Sequence, residues 1–134
     1  MEGAGFYYFE SPDNDINDWF VDEHMKRFDA APDFFTAQGF AQATAITAAI
    51  RKTNGSTETE DLIEALEGLD FDTPKGPMNI RAADHQAMQQ MYHFRIDVEE
   101  RDDWFADRKV KAGVPTLVRV IDTDEMDIPV RNSR

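Results

Sequence analysis

Residues 32–50, PDFFTAQGFAQATAITAAI, contain six alanines and one glycine. Pro32-Asp33 opens a helix, because the Asp33 carboxylate can accept backbone N–H groups that have no partner in the first turn. The run predicts a helix over about 34–53, closed by Asn54-Gly55. Ala37, Ala41, Ala43, Ala45, Ala48 and Ala49, with Gly39, leave short side chains over several faces, so other elements can approach its backbone closely. Phe34 and Phe35 stand at its start, and two adjacent rings there cannot both face one core. One ring lines a cleft or closes a neighbouring element, or the two are buried in separate cores.

Upstream, Gly5-Phe6-Tyr7-Tyr8-Phe9 reads as a short buried strand, ended by the turn residues Ser11-Pro12-Asp13-Asn14. Asp15 is the predicted N-cap of a first helix, Ile16 to Asp29. Its apolar residues Ile16, Trp19, Phe20, Met25 and Phe28 fall at helical spacing, with Asp22, Glu23, Lys26 and Arg27 on a wet face.

Downstream, Ser56-Thr57-Glu58-Thr59-Glu60 offers a capping box from Thr57 to Glu60 ahead of Leu62, Ile63 and Leu66, and Gly68 stops a short third helix. The pattern then changes to strand and turn: Leu69-Asp70-Phe71-Asp72, a turn over Thr73-Pro74-Lys75-Gly76-Pro77, and alternation in Met78-Asn79-Ile80-Arg81. Tyr92 to Glu99 alternates with Tyr92, Phe94, Ile96 and Val98 on one face. Glu99 to Lys111, with Trp104 and Phe105 inside it, reads as irregular or a short helix. A final strand is predicted at 116–121, followed by a loose tail.

The chain has 134 residues, enough for one domain with a core. Its 27 acidic and 14 basic residues give a formal charge of -13, which excludes a nucleic-acid partner that needs clustered Lys and Arg. The acids are dispersed, as in a solvated shell adapted to high salt. With no cysteine there is no disulfide, thiolate catalysis or cysteine-based zinc site. No segment reads as a membrane span, since the low-charge run 34–50 is interrupted by Gln38 and Gln42. The start MEGAGFYYFESPD has neither the basic beginning nor the apolar core of a signal peptide, which predicts a cytoplasmic location if expressed as written.

Two of the three histidines fall in GPMNIRAADHQAMQQMYHFRI, residues 76–96. Asp84, His85 and His93 could supply metal ligands to an enzyme, but their spacing matches no zinc motif. Catalytic residues are not predicted: paired carboxylates can be drawn from the acids in too many ways, and GxSxG, GxxxxGK[ST] and GxGxxG are absent. With the phosphate loops missing, no cofactor is implied.

Taken in order, several segments resemble the substrate-binding proteins of branched-chain amino-acid ABC importers, the Leu/Ile/Val-binding group. They are Gly5-Phe6-Tyr7-Tyr8, Asn17-Asp18-Trp19-Phe20-Val21 with Arg27-Phe28, and Pro32 to Ala41. Ala48-Ala49-Ile50, Leu62-Ile63-Glu64-Ala65-Leu66, Phe71 to Met78 and Arg81 to Ala87 follow. The match covers about Gly5 to Ile96. It implies an α/β chain, the C-terminal third of the two-lobe, parallel-sheet type I periplasmic-binding fold. Residues 1–98 would form the C-terminal segment of that domain, with a lobe crossover near 32–35 and a recrossing near 73–77. Residues 99–134 would be an extension.

The resemblance further implies an extracytoplasmic family, an ABC permease partner and a small-molecule amino acid or amide as ligand. Phe35 would pack on the ligand's apolar side chain, with Phe34 the weaker choice, and Asp84-His85-Gln86 would satisfy turn backbone groups. One such apolar contact contributes about 1.5–3 kcal/mol, too little to hold a zwitterion alone. The fragment is therefore expected to bind its ligand weakly or not at all. The missing first lobe and signal peptide predict a truncated gene product, an isolated domain or an accessory remnant, prone to self-association. A ligand-sensing regulator or receptor domain of the same fold is the alternative.

Overall fold

The computed structural model describes residues 1–102 and 109–131. In chain order these form β1 (Glu2–Gly5), α1 (Asp15–Phe28), α2 (Phe34–Lys52), α3 (Thr59–Leu66), β2 (Asp70–Thr73), β3 (Gly76–Ile80), β4 (Ala87–Gln89), β5 (Met91–Asp102) and β6 (Lys109–Ile121). The strands make two three-stranded sheets, ordered β1-β5-β6 and β2-β3-β4. The class is α/β as predicted. Every pairing in these sheets is antiparallel, so the parallel sheets implied for the whole architecture are not built by strand pairs among the described residues.

The alanine-rich helix forms where predicted. Asp33 caps it, accepting from Thr36 N–H at 2.8 Å and from the Thr36 hydroxyl at 2.8 Å. Ala37, Ala41, Ala45 and Ala49, four residues apart, are its buried stripe, and α2 packs through short side chains on β2 and α3. The first helix is capped by Asn14 rather than Asp15: Asn14 Oδ1 accepts from Asn17 N–H at 2.9 Å. Asp15 falls in the first turn with Asp18, while Lys26 and Arg27 lie in the last, both favourable to the helix dipole. At α3 the predicted capping box does not form. Glu58 is the N-cap without a side-chain bond, and the Ser56 hydroxyl instead donates to Asp61 at 2.6 Å and accepts from Glu58 N–H at 3.3 Å.

The aromatic run at the N-terminus is corrected. Strand β1 ends at Gly5, opposite Tyr92, and Phe6 to Phe9 lie outside it. Tyr7 is nevertheless buried, because its ring forms a core cluster with Phe20 and Ala37, against which Phe9 and Phe40 pack. Its hydroxyl donates to Asn17 Oδ1 at 2.8 Å, and Asn17 Nδ2 donates to the Phe9 carbonyl at 2.9 Å. A strand could not turn Tyr7 into this helix-facing core, so the backbone bends there.

Tyr92 and Phe94 are buried on β5, but Val98 is exposed. β1 pairs with β5 only from Tyr92 to Arg95, so Val98 lies beyond it, and the register shift between His93 and Phe94 leaves Val118 of β6 without a partner in β5. The predicted irregular or helical segment after Glu99 is also corrected. β5 continues to Asp102 and β6 begins at Lys109, well before 116, with Asp102 opposite Lys109. Trp104 and Phe105 lie outside the described residues. The tail is tied down in part, since Arg81 donates to the carbonyls of Ile128 at 2.8 Å and Pro129 at 3.4 Å.

Candidate functional site

The link from α1 to α2 sets out the aromatic pair. Asp29 ends α1 in the left-handed conformation (φ 51°), its N–H donating to the Met25 carbonyl, and His24 Nδ1 lies 2.7 Å from the Ala30 carbonyl oxygen. Pro32 is buried and Asp33 starts α2. Hydrogen bonding from the Thr36 backbone, then from its hydroxyl, holds the Asp33 carboxyl below its ordinary range, so the cap is anionic at neutral pH.

Both rings at this helix start are outside the core. Phe34 is 45% and Phe35 71% exposed, and their rings lie against each other with centroids 4.0 Å apart and planes tilted by 31°. Burial in separate cores is therefore not what occurs. Beside them, Trp19, Phe20, His24, Phe28 and Phe40 with the stem of Arg27 line an apolar groove of about 230 Å³ between α1 and α2. Neither Phe34 nor Phe35 lines it. Its volume lies below the roughly 300–1,000 Å³ of pockets that hold drug-sized ligands.

The second conspicuous place is the β2–β3 turn, where Pro74 supplies a fixed φ and Gly76 takes φ 105°. Lys75, between them, is 1% exposed. Its ammonium donates to Gln38 Oε1 of α2 at 2.6 Å and to Gln89 Oε1 of β4. Burial pushes its pKa down to about 8. In the sequence Lys75 reads as an ordinary turn residue, and nothing local marks it. Its burial comes from three elements distant in sequence that close over the turn.

The polar motif Asp84-His85 is built as a clip. Asp84 accepts a forked pair from Arg81, Nε at 2.8 Å and Nη2 at 2.7 Å, which holds its pKa down to about 2. Asp84 Oδ1 also accepts from Gln86 N–H at 3.3 Å, the predicted satisfaction of a turn backbone group. His85, left-handed at φ 58°, lies 2.9 Å from Glu67, whereas His93 lies 3.2 Å from Glu2. The three residues suggested as metal ligands are thus each engaged with a different partner, and the structure does not gather them.

A family model described as periplasmic binding protein matches residues 3–103. Among solved structures, an ABC-type branched-chain amino acid transporter from Rhodopseudomonas palustris CGA009 is 48% identical over 100% of this chain, with a TM-score of 0.84. An ABC transporter from Rhodopseudomonas palustris is 57% identical over 71% of the chain, with a TM-score of 0.58. A solute binding protein of an ABC transporter from Rhodopseudomonas palustris BisB5, in complex with 3,4-dihydroxy benzoic acid, shares the fold at 22% identity over 92% of the chain and a TM-score of 0.72. The chain spans 34%, 29% and 31% of those three structures. No curated protein is similar enough to register as a match. With three quarters of its residues under that model and a fold shared over its whole length with a 48% identical structure, the chain belongs to the periplasmic binding protein family.

Proposed function

We propose that the chain contributes to the solute-binding protein of an ABC importer for a branched-chain or related amino acid or amide, with Phe35 packing on the ligand's apolar side chain and Phe34 beside it. The observation that supports this most is the 48% identity, over the whole of this chain, to a protein described as an ABC-type branched-chain amino acid transporter. In this reading the protein acts outside the cytoplasm, delivers its ligand to a membrane permease and performs no catalysis. Phe35 fits the role physically, since a ring 71% exposed in this chain is available to bury apolar surface on a ligand.

A thermal-shift panel of leucine, isoleucine, valine, acidic amino acids, amides, urea and benzoate tests it. A ligand at ten times its Kd stabilises the native state by about 1.4 kcal/mol, so millimolar concentrations reveal even weak binding. Leucine, isoleucine or valine is expected to raise Tm, and Phe35→Ala to abolish the rise while leaving the unliganded Tm unchanged. If benzoate alone acts, the ligand is an aromatic acid; if nothing acts, binding by this chain is refuted.

A further inference from the structure

The β2–β3 turn is where both sheets and both long helices meet. Besides its two side-chain bonds, Lys75 donates its N–H to Thr73 Oγ1 at 3.1 Å, and its carbonyl accepts from the Tyr92 hydroxyl at 2.7 Å and from Gln90 Nε2 at 3.1 Å. The carbonyl of Pro74 accepts from Asn14, the cap of α1, at 3.3 Å. The groups facing the ammonium are thus neutral: Gln38 from α2, Gln89 from β4, and Gln90 and Tyr92 beside the main chain. Burial raises the pKa of Tyr92, which keeps its phenol uncharged at neutral pH. Among the described residues no carboxylate pairs with Lys75.

A buried cation with neutral partners is a poor stabiliser, and an apolar side chain would fill the same space. What it supplies is direction. The alanine stripe of α2 carries no polar side chain; Lys52 ties the C-terminal end of the helix to the Ala65 carbonyl of α3 at 3.1 Å, and Lys75 grips Gln38 near its N-terminal end. Gln38 stands one turn from Phe34 and Phe35 on the same helix.

We propose that Lys75 is a positioning residue for the aromatic pair: through Gln38 it fixes the rotation and depth of the first turns of α2 against β4, and so where Phe34 and Phe35 stand. The importance of that position for ligand rests on the reading of Phe35 above; the mechanical link does not.

The test places 4-fluorophenylalanine at position 35 and follows its fluorine resonance without ligand. Lys75→Met is expected to shift or broaden the resonance while retaining a cooperative urea transition. Gln38→Leu should move the resonance in the same direction, and the double variant no further than Lys75→Met alone, because the bond between Lys75 and Gln38 is already lost in either single variant. An unmoved resonance in folded Lys75→Met, or additive shifts, overturns the proposal. If Lys75→Met does not fold, the unsubstituted lysine is titrated from pH 7 to 9.5. Loss of the charge weakens the grip on Gln38, so the resonance should move with a midpoint near 8. A flat titration overturns the proposal. None of these readouts needs an amino-acid ligand, so the proposal can fail while the importer reading stands, and the reverse.

Discussion

Lys75 makes stability depend on pH in a window where few other groups titrate. In the unfolded chain its ammonium keeps its proton up to the ordinary lysine value of 10.5, whereas in the fold burial lowers the pKa to about 8. Below pH 8 both states are charged and the cost of burying the cation is fully present. Between the two values the unfolded chain binds one proton more, so the free energy of unfolding rises with pH. The full span corresponds to about 3 kcal/mol, of which about 2 kcal/mol falls between pH 7 and 9.5. Lys75→Met removes this dependence.

The variant's absolute stability is not the useful quantity, because methionine relieves the charge but leaves Gln38 and Gln89 without a donor. The difference between the two proteins, measured by urea unfolding at pH 7 and again at 9.5, cancels that offset. It also cancels Tyr7 and Tyr92, whose pKa values burial raises and whose stabilising effect is lost only at higher pH. The unsubstituted protein should gain about 2 kcal/mol relative to Lys75→Met across the interval. A difference that stays constant within about 0.5 kcal/mol, the scatter of such measurements for independent sites, refutes the reasoning, since Lys75 would then titrate as it does in water.

Gly76→Ala should destabilise by about 1–3 kcal/mol for its left-handed backbone alone. It should cost more than Gly55→Ala by chemical unfolding, because a Cβ at Gly76 would lie 2.6 Å from Gln90 Nε2 whereas nothing lies within 4 Å of one at Gly55. Ala41→Leu puts a large side chain into the stripe packed on β2 and α3, and urea unfolding should show a loss of about 1–3 kcal/mol. Asn17→Ala strips the buried Tyr7 hydroxyl of its acceptor and the Phe9 carbonyl of a donor. A loss of about 1–3 kcal/mol is expected, accompanied by changed Tyr7 fluorescence.

Much of the local structure is legible without coordinates, because it is enforced within a few residues. Asp33 caps the helix that follows it, Pro74 and Gly76 carry the conformational demands of their own turn, and Asp84 satisfies Gln86 two residues on. The errors lie where distant contacts overrule local preference. The aromatic run at residues 6–9 has strand character, yet Tyr7 must leave the sheet to reach Asn17 and Phe20. Thr57 and Glu60 have the spacing of a capping box, but Ser56 reaches Asp61 first. The charged stretch from Glu99 looks irregular by composition, yet Glu99 to Asp102 are drawn into strand by pairing with residues 109–112.

By itself the sequence determined the helices, the hairpin turns and, through an ordered set of short motifs, the family. These depend on backbone preference, side-chain size and near neighbours, all of which are local in the chain. Only the tertiary structure decided that Lys75 is buried, that Phe34 and Phe35 lie against each other in the open, and that Asp84 and His85 serve separate clips. Each of those outcomes depends on which surfaces meet, and a residue's own neighbours in sequence do not carry that information.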